Sequence, residues 1–233
     1  QETLFPETQS RIGPLQISGF YESASECGGD WWHYCVSNEK IYLWIGDATG
    51  HGVPAALITS AAKSAASIIE NLDVGPGVAM QLLNQSIYDV SKGRLMMTFF
   101  IAMFDISNNK MTYANASHEA PYLIRKNDGQ IKKKDLIPLN DLINPRLGQE
   151  RSTQYEEVTV DFEVGDSLFL YTDGIPDIQN PKKENWGERE FIKTLVSSFK
   201  NNAEPDQVNY IFSKTFQDYR QNQTLIDDVT FFI

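Results

Sequence analysis

Trp31-Trp32-His33-Tyr34-Cys35-Val36, then Ser37-Asn38-Glu39, then Lys40-Ile41-Tyr42-Leu43-Trp44-Ile45, runs into Gly46-Asp47-Ala48-Thr49-Gly50-His51-Gly52 and Val53-Pro54. Two runs of aromatic and β-branched residues separated by three polar ones predict a β-hairpin. The glycine-rich stretch ends the second strand. A helix opens behind it, because proline is tolerated in the first turn of a helix. Leu57, Ala61, Ala65 and Ile68 then recur on one face of that helix, and its many alanines and serines make it narrow enough to pack close to a sheet.

Working outward, residues 15–21 read as a strand and residues 78–90 as a second helix, with Leu82, Leu83, Ile87 and Val90 inward. The middle of the chain is β-rich, with strands expected at 98–105, 111–115 and 121–125. Residues 131–146, with three consecutive lysines and two prolines, read as loop. Strands follow at 156–160 and 167–171, amphipathic helices at 188–199 and 205–219, and a last strand at 229–233. Clusters of strands joined by hairpin-length links, followed by clusters of helices, predict an α+β protein of antiparallel sheets covered by helices rather than a βαβ wind.

The 233 residues carry 20 Lys plus Arg against 31 Asp plus Glu, a net charge of −11. That balance disfavours nonspecific nucleic-acid binding, which works by neutralising phosphates with cations, and contact with an anionic membrane. The longest apolar stretch, residues 96–104, falls far short of the roughly 20 residues of a membrane-spanning helix. Cys27 and Cys35 stand eight positions apart without the further thiols or histidines of a zinc site, and are expected to be reduced and structural. Beginning at Gln1, the chain reads as a piece of a longer protein.

Four places set a carboxylate at a strand end beside a tight turn: Gly28-Gly29-Asp30, Gly46-Asp47-Ala48, Thr172-Asp173-Gly174 and Asp227-Asp228-Val229. Rigid strands hold such carboxylates, and glycine lets backbone or ligand approach. Gathered together they would repel one another unless cations lay among them. All-oxygen donors select hard ions such as Mg²⁺ or Mn²⁺. An Asp beside a Gly is equally at home in an ordinary turn, and the residue pattern alone leaves both readings open. There is no G-x-S-x-G elbow and no P-loop. His33 lies inside a strand, a packing position, whereas His51 and His118 lie in turns from which either could reach a site.

Taken together, these motifs resemble the SpoIIE/RsbU-type serine phosphatases, the bacterial branch of the metal-dependent PPM (protein phosphatase 2C-like) superfamily. Besides the first two motifs, the likeness runs through Thr98-Phe99-Phe100, Tyr113-Ala114-Asn115-Ala116-Ser117-His118, Leu147-Gly148, Gly165-Asp166, Tyr171-Thr172-Asp173-Gly174-Ile175 and Asp227-Asp228-Val229-Thr230. The resemblance implies an α-β-β-α sandwich of two antiparallel sheets flanked by helices. It implies hydrolysis of phosphoserine or phosphothreonine by a hydroxide bridging two Mn²⁺ or Mg²⁺ ions, with a third ion sometimes present. Asp47 would bridge both ions and the Ala48 carbonyl would help hold the second. Asp173 and Asp227 would complete the first. Asp30 would act directly or through water, and Asp228 beside them or on a third ion. His51 would serve as general acid or shape its loop.

The resemblance further implies that residues 1–14 end a linker, with Leu4-Phe5-Pro6 as its last turn, and that residues 15–233 form the catalytic domain under control of an upstream sensor. The expected substrate is a phosphorylated anti-anti-sigma protein of the STAS fold, in the cytoplasm, with no nucleic-acid partner; a homodimer is compatible with the scheme. A module that binds such a partner without turning it over is the competing reading. The sequence departs from the family pattern at Ser117, where glycine is usual, so a local change in the turn before His118 is expected. It also departs at Trp31-Trp32, where other aromatics are usual, and it lacks an arginine matching the phosphate-binding one of eukaryotic relatives.

Overall fold

The computed structural model describes residues 4–126, 130–142, 144–200 and 203–233. The chain forms two compact units, each with its own antiparallel sheet and helices. The α+β class of antiparallel sheets and flanking helices is the one expected.

The first unit takes residues 1–6, 25–120 and 140–164. Its five-stranded sheet runs in the order β3 (Asp30–Ser37), β4 (Lys40–Ala48), β5 (Met97–Asp105), β6 (Lys110–Ala116) and β9 (Val158–Asp161). The β3–β4 hairpin closes through Asn38 and Glu39 at φ 49° and 64°. Two successive left-handed residues give the turn whose twist matches that of paired strands. Tyr42, Trp44, Phe99, Ile101 and Ala114 line the sheet face that meets α1 (Val53–Ile69) and α2 (Pro76–Ser91).

The face α1 buries differs from the apolar row expected from spacing. Leu57 and Ile68 are exposed, while Ala55, Ile58, Thr59, Ala62, Ala66 and Ile69 are buried. The sheet explains this. Trp31, Tyr42 and Trp44 already fill the interface, so the helix must offer alanines to reach interior packing density. In α2, Leu83 and Ile87 are buried as expected, Leu82 is partly so, and Val90 is exposed one residue before the helix ends. The N-terminus of α2 is capped from a distance: Gly77 donates its N–H to Glu157 Oε2 at 2.7 Å, which places a carboxylate at the positive end of the helix dipole.

The second unit takes residues 7–24, 121–139 and 165–233. Its six-stranded sheet runs β1 (Gln9–Ile12), β2 (Leu15–Glu22), β11 (Val229–Phe232), β10 (Ser167–Tyr171), β7 (Tyr122–Ile124) and β8 (Leu136–Pro138). Its core joins Phe20, Phe169 and Phe231 of the sheet to Phe191 of α3 (Gly187–Ser198) and Phe212 and Phe216 of α4 (Pro205–Arg220). Aromatic rings meet edge to face at 4.9 Å for Phe212–Phe231 and 5.2 Å for Phe20–Phe216. The stretch 131–146, expected to be loop, contains the edge strand β8. An edge strand tolerates Pro138, whose missing N–H faces away from the ladder. Residues 9–12, within the stretch expected to be linker, form the other edge. Leu4 and Phe5 pack onto the first unit's core, where Trp31 donates its indole N–H to the Leu4 carbonyl at 3.0 Å.

Candidate active site

In the first unit, strand register fixes the carboxylates. Asp30 of β3 pairs with Asp47 of β4, and Asp47 pairs with Thr98 of β5. Alternate residues of a strand face opposite ways. Trp31, Ala48, Met97 and Phe99 point to the helices, so Asp30, Asp47 and Thr98 form a row on the other face. Asp30 is only 1% exposed. Like charges directly opposed across a strand pair repel, and burying one of them raises the cost.

Gly29 has a defined role beside this pair. Ala48 donates its N–H to the Gly29 carbonyl at 3.0 Å, drawing the two segments together. A Cβ at position 29 would lie 2.6 Å from the Ala48 carbonyl oxygen, 3.1 Å from Asp47 Oδ1 and 3.2 Å from the Gly50 carbonyl oxygen. Three oxygen atoms therefore converge on the space left by the missing side chain. The loop beyond them is pinned by Thr49, whose hydroxyl donates to the Met96 carbonyl and accepts from the Met96 N–H, both at 2.8 Å. His51 is exposed between Gly50 and Gly52, both in the left-handed region.

In the second unit, Asp173 follows β10, and Asp227 and Asp228 precede β11. The two strands are neighbours, and Thr172 clamps their ends. Its N–H donates to the Thr230 carbonyl at 3.0 Å and its hydroxyl accepts from the Thr230 N–H at 3.1 Å. A side chain at Gly174 would collide with the Asp228 carbonyl oxygen, which is why glycine follows Asp173. Asp228 is buried and accepts the Ala24 N–H at 2.8 Å, so one of its oxygens anchors the chain. The Asp227 carboxyl is pushed above the ordinary aspartate range. Desolvation is the main cause, with the negative charges of Asp173, Asp228 and Asp177 adding to it and the Asp228 N–H opposing it. Asp177 escaped sequence reasoning. Its signal was position: it lies four residues after Asp173, in a tight segment where Ile175 N–H bonds back to the Thr172 carbonyl and Ile178 N–H to that of Ile175.

The expected residues thus fall into two sets, Asp30, Asp47 and Ala48 in one unit and Asp173, Asp227 and Asp228 in the other. Among the described residues, no group of three or more His, Cys, Asp or Glu side chains stands in ligating geometry. The chemistry of each set nevertheless suits a hard cation. The donors are oxygens, the carboxylates are crowded, and the space beside Gly29 is ringed by carboxylate and carbonyl oxygens.

The model of the family described as Stage II sporulation protein E (SpoIIE) matches residues 37–233. The chain belongs to the SpoIIE family. Members of this family are serine/threonine phosphatases of the metal-dependent PPM superfamily, and this SpoIIE-family domain is of that enzyme class. It is 24% identical to the phosphoserine phosphatase RsbU of Bacillus subtilis, over all of this chain and 67% of that protein. It is 25% identical to the phosphoserine phosphatase RsbP of the same organism, over 70% of this chain and 40% of that protein. Among solved structures, the SiaA PP2C domain of Pseudomonas aeruginosa superposes with a TM-score of 0.76 at 22% identity, covering 93% of this chain and 84% of that one. That likeness shows the fold to be that of PP2C-type phosphatase domains. No described helix is long and apolar enough to cross a membrane.

Proposed function

We propose that this domain hydrolyses phosphoserine or phosphothreonine on a signalling protein with the help of Mn²⁺ or Mg²⁺. Asp30, Asp47, the Ala48 carbonyl, Asp173, Asp227 and Asp228 would hold the ions. Bound ions of this kind supply Lewis acidity, activating water for attack and neutralising phosphoryl charge. Asp47 would contribute one of the carboxylate ligands. Gly29 keeps its side-chain oxygen and the Ala48 carbonyl turned to a common space. Asp228 ties its loop to Ala24 and so fixes where Asp227 and Asp173 stand. His51, exposed on the loop after Asp47, hands a proton to the leaving hydroxyl or shapes that loop, and the pH–rate profile of His51→Gln separates the two roles.

The observation that carries this reading is the buried Asp30 facing Asp47 beside an oxygen-lined gap, in a chain of this family. Two carboxylates opposed across a strand pair repel, and a nearby cation would relieve that repulsion. The proposed substrate is a phosphorylated anti-anti-sigma protein of the STAS fold in the cytoplasm. Residues 1–14 would end a linker through which an upstream region controls the catalytic domain, 15–233. Phosphate release from a phosphorylated STAS-domain protein, with Mn²⁺ and with EDTA, tests the proposal. Mn²⁺-dependent release from phosphoserine but not from phosphotyrosine is expected. Tight binding of the phosphoprotein with no release in Mn²⁺ would overturn it in favour of a binding module.

A further inference from the structure

We infer that Thr98 and His118 are a positioning pair for the Asp47 carboxylate, an assignment that rests on reading Asp47 as a metal ligand. Thr98 is the cross-strand partner of Asp47 on the side opposite Asp30. Directly paired residues on neighbouring strands hold their Cβ atoms roughly 4.5–5.5 Å apart, within reach of a hydroxyl–carboxylate hydrogen bond. The Thr98 hydroxyl is itself held at 2.9 Å by His118 Nδ1.

His118 is fixed with unusual thoroughness. It is buried at the end of a turn in which Ser117 adopts φ 56°, the left-handed region that a glycine enters freely. The turn thus takes the backbone a glycine would favour, although its residue is serine. Asn115 grips both backbone groups of His118, its Oδ1 accepting the N–H at 2.8 Å and its Nδ2 donating to the carbonyl at 3.1 Å. Asn144 in turn donates to the Asn115 carbonyl at 3.1 Å, and Ser117 donates its hydroxyl to the Asn144 carbonyl at 2.7 Å. Asn115, His118 and Asn144 are all buried. Burying a polar network is high in cost unless every member is satisfied, and a satisfied one rigidifies its surroundings. This network ends on the hydroxyl of Thr98, which stands in the strand row with Asp30 and Asp47.

Donor arithmetic sets the direction. A carboxylate only accepts, and a hydroxyl has one proton to give. With His118 donating from Nδ1 to Thr98 Oγ1, the hydroxyl proton is left available for Asp47. The reverse direction would spend that proton on the imidazole and turn oxygen lone pairs toward a carboxylate. The pair therefore turns one carboxylate oxygen toward Thr98 and leaves the other for a cation. Groups that orient a metal ligand in this way typically change metal affinity by about 10- to 100-fold when removed.

The test titrates Mn²⁺ into the metal-free domain and follows the electron-spin resonance of the free ion, with thermal unfolding as a check on folding. Thr98→Val keeps the shape and removes the hydroxyl, whereas Thr98→Ser keeps it. His118→Asn places an amide near the position of Nδ1; His118→Gln places it near Nε2. Thr98→Val and His118→Gln are expected to weaken Mn²⁺ binding about 10- to 100-fold. Thr98→Ser and His118→Asn are expected to retain nearly wild-type affinity, and KM for a phosphoprotein to stay unchanged in all four. If the His118 variants fail to fold, the Thr98 pair decides alone. Equal losses in Thr98→Val and Thr98→Ser would reduce the residue to packing and overturn the inference. Asp47→Asn separates the two layers. If it leaves Mn²⁺ binding intact, the reading of Asp47 fails. If it abolishes binding while Thr98→Val matches wild type, only the positioning inference fails.

Discussion

Replacing Gly29 with alanine adds one methyl group where the structure leaves no room. The new Cβ would sit 2.6 Å from the Ala48 carbonyl oxygen, whereas ordinary contact starts at 3.4 Å, so one side must yield by about 0.8 Å. Gly29 lies outside the left-handed region, so the substitution acts through volume alone. Neither neighbour yields easily. Ala48 is buried and hydrogen-bonded to Gly29, and β4 is paired on both sides. Overpacking of this kind costs about 1–3 kcal/mol of stability. The larger consequence is local. Metal–ligand distances tolerate about 0.2 Å, and a misplacement near 1 Å in an active site costs about 100-fold in rate. Gly29→Ala should therefore remain folded, with a lower urea midpoint, bind Mn²⁺ at least about tenfold more weakly by calorimetry, and lose about 100-fold in turnover. A variant that lost stability but kept wild-type Mn²⁺ affinity and turnover would refute the oxygen-lined gap as part of the site.

Further outcomes follow from other parts of the molecule. His33, stacked on Trp31 and flanked by Lys63 and Glu70, is held below the ordinary histidine range by burial and by the Lys63 charge, with Glu70 opposing. Its neutral form is favoured in the fold, so its contribution to stability is present above pH 6.5 and is lost as pH falls through its lower folded value. His33→Gln should flatten the fall in urea midpoint from pH 7.5 to 5.5, and an unchanged slope would contradict this. Burial pushes the Cys35 thiol up to about 12, so iodoacetamide at pH 8 should leave Cys35 unmodified in the folded protein and label it after unfolding. Phe212→Ala removes a ring that meets Phe169, Phe191 and Phe231 and should cost about 3–5 kcal/mol in urea unfolding. An upstream segment that shifts α1 would move Asp47 through the loop 49–52. A coupling of about 1–3 kcal/mol would change Mn²⁺ affinity roughly 5- to 150-fold between this chain and a longer one, and identical Mn²⁺ dependence in both would contradict that route.

The sequence made the hairpin legible because aromatic and β-branched runs around Ser37-Asn38-Glu39 leave the chain little alternative. The Asp–Gly pairs were legible as strand-end carboxylates. Their glycines matter for reasons the sequence hides: Gly29 and Gly174 make room for backbone oxygens of residues 48 and 228, contacts that exist only once distant strands pair. Spacing misplaced the buried face of α1 because periodicity follows the largest apolar residues. Here Trp31, Tyr42 and Trp44 on the sheet demanded the smallest ones, and Leu57 and Ile68 turned outward. Strand β8 was hidden by the lysines and Pro138 that suit an edge. Asp177 carries no motif of its own, and charge crowding reveals it; Thr98 opens one of the matching motifs, but only strand register sets it beside Asp47.

Asp47 and Asp173 are each proposed to be required for metal-dependent turnover. Hydrolysis of p-nitrophenyl phosphate with Mn²⁺ and with EDTA, by the wild-type chain, Asp47→Asn and Asp173→Asn, tests this most directly. Turnover is expected to require Mn²⁺ in the wild type and to fall to background in both variants, each with an intact circular-dichroism spectrum. Near wild-type, Mn²⁺-dependent turnover in either variant would contradict the proposal.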